Sequence, residues 1–128
     1  MNYLARNITV WYKDREWAEE VFYDVLNHVP FKEFIAAARV SRSDLIIALK
    51  DGTYFRLVPI TNNSSKGMKS HEIYVQDGAI DLETYDRLIV PMVLWPYNNI
   101  VAISKASDML FGGKILKRSD LIKQEEGC

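Results

Sequence analysis

The sequence predicts a single α/β domain built on a central sheet of about five strands, one pair of them a β-hairpin, with helices packed against it. Three observations carry that prediction. A β-rich run at 7–12 hands over at once to an amphipathic helix, two β-rich runs flank Asp51-Gly52, and a second strand, helix and strand succession runs from 72 to 104. At 128 residues the chain suffices for one core, and its 48% hydrophobic and 26% charged content is that of a folded domain.

Taken in order, 7–12 is rich in β-branched and aromatic residues and reads as a strand. Asp14 then caps a helix over 14–28, where Trp17, Ala18, Val21, Phe22, Val25 and Leu26 recur at helical spacing among Glu16, Glu19, Glu20 and Asp24. Pro30 closes that unit, and the alanine-rich 34–40 suits either a helical turn or a strand. The runs 45–50 and 53–60 form a hairpin, because Gly52 tolerates the positive φ of a tight turn. Residues 61–69 are polar and turn-rich, the segment most expected to be a disordered loop. Residues 72–76 are a short apolar strand, and Asp77-Gly78 breaks it. Asp81 opens a helix with Leu82, Tyr85, Leu88 and Ile89 on one face, ended or kinked by Pro91. After a break at Pro96 come a strand at 100–104 and a short helix at 105–111 before Gly112-Gly113, and the polar tail from about 113 is expected to fray. No repeat or linker divides residues 1–128.

Composition excludes several classes. A formal net charge of -1 removes bulk attraction for polyanions, although not a local basic patch. Cys128 is the single cysteine, so neither an internal disulfide nor a cysteine metal cage is expected. The start of the chain lacks the apolar stretch of a signal peptide, and no apolar run approaches the ~20 residues that span a bilayer. These features predict a cytoplasmic protein without membrane, metal or cofactor.

The order of pieces also carries a resemblance. The strand and helix of 7–28, the hairpin of 45–60 around Asp51-Gly52, Lys66-Gly67, and the run Ile73-Tyr74-Val75-Gln76-Asp77 resemble the ATPase domain of phage large terminases and related P-loop motors, over residues 7–104. The resemblance implies a truncated P-loop-type core that begins after the phosphate loop, since the six residues ahead of Asn7 hold no such loop. It places Gln76 where that family has its metal-binding Asp, and Asp77 where it has the catalytic Glu. An amide lacks the charge that compensates Mg²⁺, and Asp is a methylene short of Glu. The site is therefore read as a relic without hydrolysis. Phe111-Gly112-Gly113-Lys114 lacks the spacing and hydroxyl of a phosphate loop and reads as a turn.

Other constellations are weaker. His28 and His71 have no ligand-spaced partners, so no zinc site is expected. A nuclease would need Asp44, Asp51, Glu72 and Asp77 to converge with Lys50. Charge is uneven: 39–69 holds Arg39, Arg42, Lys50, Arg56, Lys66 and Lys69 against Asp44 and Asp51, while the five charges of 72–86 are all acidic. The basic residues Arg39, Arg42, Arg56, Lys66 and Lys69 are candidates for contact with nucleic acid, with Tyr54 and Phe55 to stack on bases. Trp95 and Tyr97 are candidate protein-binding anchors. The reading reached from sequence is a non-enzymatic, phage-type accessory protein of the host cytoplasm. It works through contact with a host or phage protein or with itself, as an inhibitor or regulator in roles such as counter-defence. A nucleic-acid-binding module is the alternative, and a residual nucleotide-binding enzyme or nuclease ranks below both.

Overall fold

Strand β1 (Asn7–Tyr12) is the middle of the molecule, and the other elements are arranged by the need to cover it. The computed structural model describes residues 6–28, 32–42, 45–60, 69–93 and 99–126. After β1 come α1 (Arg15–Leu26), β2 (Ile35–Val40), β3 (Leu45–Leu49), β4 (Tyr54–Pro59) and β5 (Glu72–Gln76). A helical stretch at 82–92, here α2, leads to β6 (Ile100–Ile103), a 3₁₀ turn (Ala106–Met109), β7 (Lys114–Ile115) and α3 (Arg118–Glu126). The strands form one mixed sheet of seven in the order β2-β3-β4-β1-β5-β6-β7. β1 runs parallel to β4 and β5, and β5 to β6, while β2–β3, β3–β4 and β6–β7 are antiparallel.

A parallel centre has no solvent face, so both sides of β1 must be covered. Alternation along the strand sends Val10 and Tyr12 towards α1, where they meet Ala18, Val21 and Phe22 of the helix with Leu45, Ile47, Phe55 and Leu57 of the hairpin. Trp11 goes the other way, into a second cluster with Ile73, Val75, Leu88, Ile89, Met92, Ile100 and Leu121. Asp14 caps α1 as its sequence suggests, its carboxylate accepting the N–H of Glu16 at 3.1 Å. One polar link crosses the buried sheet: the Thr9 and Ser70 hydroxyls are 2.7 Å apart, and both residues are almost fully enclosed. Gly52 turns the β3–β4 hairpin at φ +94°, and Asp51 Oδ1 accepts the N–H of Thr53 at 2.8 Å.

Three features depart from the sequence expectation. The sheet has seven strands rather than about five, because the ambiguous 34–40 pairs with β3 as an edge strand and Lys114–Ile115 adds to β6. The alanines of 36–38 favour helix locally, and ladder pairing with β3 overrides that preference. α2 is also not a regular helix: an α turn at Leu82–Thr84 widens to a π turn at Tyr85–Ile89 and tightens to a 3₁₀ turn at Val90–Met92. Pro91 lacks an N–H and its ring crowds the carbonyl four residues back, so the α ladder cannot continue through it. The tail beyond 113, expected to fray, carries β7 and α3. Leu121 buries itself in the second cluster, and Arg118 pairs with Asp86 of α2 at 3.0 Å. Most of the expected loop, 61–68, lies outside the described residues.

The acidic caps make stability depend on pH in a fixed direction. Hydrogen bonds from Thr53 and Thr84 hold Asp51 and Asp81 below the ordinary carboxylate value, and the Arg118 hydrogen bond does the same for Asp86. A carboxylate whose folded value is depressed stabilises the fold above its ordinary titration range, and that contribution is lost as pH falls through the folded value. Asp81→Ala is expected to cost about 0.5–1 kcal/mol at neutral pH. The deficit should shrink as urea-unfolding free energies are followed from about pH 7 to about pH 3.

Candidate binding groove

The carboxyl ends of the parallel strands hold the residues that the resemblance singled out. Gln76 Oε1 accepts the N–H groups of Lys13 and Asp14 at 2.9 and 3.0 Å, so the side chain at the end of β5 closes the turn from β1 into α1. A neutral carbonyl satisfies both donors without bringing a charge to the turn. Asp77 is exposed beyond it, its N–H donating to the Ile103 carbonyl at 2.9 Å. Gly113 belongs to packing: a Cβ there would lie 2.5 Å from Val101 Cγ1 and 2.9 Å from the Asp108 carbonyl. Of the carboxylates of the nuclease reading, Asp44 lies outside the described residues, and the other three do not converge: Asp51 is in the hairpin turn, and Glu72 at the start of β5 and Asp77 just past its end are roughly 16 Å apart by strand rise. Among the described residues no three His, Cys, Asp or Glu side chains group as a metal site, and no helix is long and apolar enough to cross a membrane.

The described basic candidates are divided: register puts Arg39 and Arg56 on one face of the sheet, and Lys69 stands apart from them. Lys69 Nζ donates to the Pro91 carbonyl at 2.6 Å and straps the approach to β5 onto α2. Arg56 Nε donates to Thr9 Oγ1 at 3.3 Å along the sheet. Arg39 is exposed on edge strand β2, and Arg42 follows it with its backbone carbonyl held by Arg15 Nη1 at 3.0 Å. Phe55 is buried beneath α1, so it is not available to stack on a base. Alternation put the neighbouring Tyr54 on the opposite face, which is where the sequence reading of the pair fails. Lys66, Trp95 and Tyr97 lie outside the described residues.

What the structure does assemble is an apolar groove of about 690 Å³ on the α1 side of the sheet. α1 packs over Val10 and Leu57, which leaves the beginnings of β1 and β5 and the hairpin end of β3–β4 open around Ile8, Tyr74, Ile47 and Phe55. The end of α1, with Asp24, Val25 and His28, makes one wall, and 105–111 makes the other. That second wall is held at its base. The Asp108 carboxylate accepts the N–H groups of Ser104 and Lys105 at 2.9 and 3.3 Å, and Trp17 Nε1 donates to the Ser104 carbonyl at 2.7 Å. Its rim is Leu110 and Phe111, which are 63% and 79% exposed. Large apolar side chains standing over an apolar cleft are the feature a folded surface ordinarily avoids. Sequence reading missed it because floor and walls come from elements scattered over the chain, β1, α1, β3, β4, β5 and 105–111. The only local signal is the pair Leu110-Phe111, one residue past a helical turn too short to bury it.

One polar cluster interrupts the floor. The Tyr74 hydroxyl donates to Glu72 Oε1 at 2.7 Å, and Arg6 approaches the other carboxylate oxygen at 3.8 Å. Burial first, and the Glu72 carboxylate second, push the Tyr74 phenol well above its ordinary value. The hydrogen bond orders the floor, and a phenol shifted upward is not an activated nucleophile at neutral pH. Comparison with protein-family models, with curated proteins and with solved structures gives no match for the chain.

Substitutions at two residues test these assignments. Gln76→Ala is expected to lower stability by about 1–2 kcal/mol in urea unfolding, since two N–H groups lose their acceptor. Gln76→Glu keeps an acceptor and should stay near the parent at neutral pH. Tyr74 should remain un-ionised in an ultraviolet titration while exposed tyrosines ionise. Its hydrogen bond stabilises below the ordinary phenol value and is lost as pH rises towards the folded one, so the deficit of Tyr74→Phe, about 1 kcal/mol at neutral pH, should fade in strong alkali.

Proposed function

We propose that this protein acts without catalysis, by binding another protein in the groove between α1 and residues 105–111. The observation that carries the reading is the exposed pair Leu110 and Phe111 above an apolar floor. Aromatic and aliphatic anchors of this kind dominate contact energies once a partner excludes water from them. A partner segment carrying apolar side chains fits the volume, which lies within the range of pockets that take compact apolar groups. The role that goes with this surface is that of a phage-type accessory factor in the cytoplasm, inhibiting or regulating a host or phage protein.

Ancestry from a P-loop-type core is part of the same proposal. The three adjacent parallel strands β1, β5 and β6 support it, as does Gln76, an amide used as a turn closure where a nucleotide site would place a metal-binding acid. None of the described basic candidates Arg39, Arg42, Arg56 and Lys69 lines the groove, which favours a protein partner there over nucleic acid.

The test is affinity capture with the parent protein and the Leu110→Ser/Phe111→Ser double variant as baits. Both residues are exposed, so the variant should melt within about 0.5 kcal/mol of the parent. The parent should recover a partner that the variant binds more than about thirtyfold less tightly. Equal recovery of the same proteins by both baits would remove the groove from the contact surface.

A further inference from the structure

The sheet face turned away from the groove carries a second surface, and it is basic. Strand register fixes its members. Arg39 pairs with Ile46, Ile46 with Arg56 and Arg56 with Thr9, and in the next row Ala37 pairs with Ala48 and Ala48 with Tyr54. These residues alternate with Leu45, Ile47, Phe55 and Leu57, which point into the α1 core, so they share the opposite face. Among the described residues, α2 and α3 cover only the other half of that face: the cluster beneath them takes Val58 from β4 and nothing from β2 or β3. Ala37 and Arg39 are exposed, Ile46, Ala48, Tyr54 and Arg56 are half-buried, and Lys50 is exposed at the hairpin end of β3.

Among the described residues the charge of this strip is mainly positive: Arg39, Lys50 and Arg56 stand against Asp51, whose carboxylate accepts the Thr53 N–H in the hairpin turn, and the Arg56 guanidinium is tucked inward, with Nη2 buried and Nε on Thr9 Oγ1. Arg39 and Arg56 stand two strand spacings apart, about 10 Å. The alanines at 37 and 48 leave a shallow floor beside the Tyr54 ring. Cations spread around an accessible aromatic on an otherwise flat surface complement an anionic chain that carries stackable rings.

We propose that this strip binds single-stranded nucleic acid. The Arg39 guanidinium and Lys50 ammonium hold backbone phosphates, Arg56 adds positive charge beneath them, and the Tyr54 ring carries a base. The arrangement supplies few donors aimed at base edges, so recognition is sequence-tolerant. The overall net charge of -1 keeps the attraction local, and affinity is expected in the micromolar range typical of phosphate-led binding. This site is on the opposite face from the groove and does not depend on the protein-binding reading.

Fluorescence anisotropy with labelled oligo(dT) and oligo(rU) of about twelve nucleotides tests it. Binding should weaken between about 50 mM and about 200 mM salt with a logarithmic slope near −1.4, the value for about two phosphate contacts to a single strand. Arg39→Glu and Lys50→Glu should each weaken binding about tenfold and flatten the slope. Tyr54→Ala should cost about tenfold while Tyr54→Phe, which keeps the ring, retains binding; that contrast separates stacking from damage to the sheet. The Leu110→Ser/Phe111→Ser variant should bind as the parent does. Absence of salt-sensitive binding to either oligonucleotide at protein concentrations up to about 100 μM would overturn the proposal. Binding that Arg39→Glu and Tyr54→Ala leave unchanged would do the same.

Discussion

The parallel pairing of β1 with both β4 and β5 is the constraint from which the rest of the molecule follows. Val10, Trp11 and Tyr12 are successive residues pointing to alternate faces, and all three are buried, so neither face of this strand is left to solvent. A layer of α1 is needed on one side and a layer of α2 with α3 on the other. Thr9 and Ser70, the most deeply buried polar side chains among the described residues, answer each other across 2.7 Å rather than remaining desolvated. Antiparallel strands then finish the sheet at both margins, which lets β2 and β7 end the structure without further crossover helices.

Much of this architecture was legible because its signals are local. β1 and β5 were readable from β-branched and apolar runs, α1 from its helical spacing and the Asp14 cap, and the hairpin from Asp51-Gly52. What could not be read depends on partners distant in sequence. The alanines of β2 carry no strand preference of their own and become a strand because β3 presents an unpaired ladder. The π turn of α2 arises from Pro91, whose presence was visible although the way the helix absorbs it was not.

The site shows the same division more sharply. Gln76 stood out in the sequence by its departure from a family pattern, yet its use as the acceptor that closes the β1–α1 turn is set by residues more than sixty positions away. The groove had even less signature, because Ile8, Val25, Phe55, Tyr74 and Leu110 converge only once the sheet order is known. Tyr54 and Phe55, adjacent in sequence, were separated by the strand period into a surface ring and a core ring. The sheet thereby puts the groove on one face and the strip of Arg39, Tyr54 and Arg56 on part of the other, each legible only after register is fixed.

The base of the 105–111 wall bears on how long the proposed complex at the groove would last. Asp108 grips the chain before the rim, Trp17 anchors Ser104, and Gly113 is wedged against Val101 and the Asp108 carbonyl just after it. Leu110 and Phe111 are thus held between two fixed points while their side chains face solvent. Ordering a loop side chain on association costs about 0.5–1.5 kcal/mol, and a rim already fixed along its backbone avoids part of that loss. Such preorganisation slows departure more than it speeds arrival, so the rigidity of this short wall will be felt chiefly in the lifetime of whatever docks there.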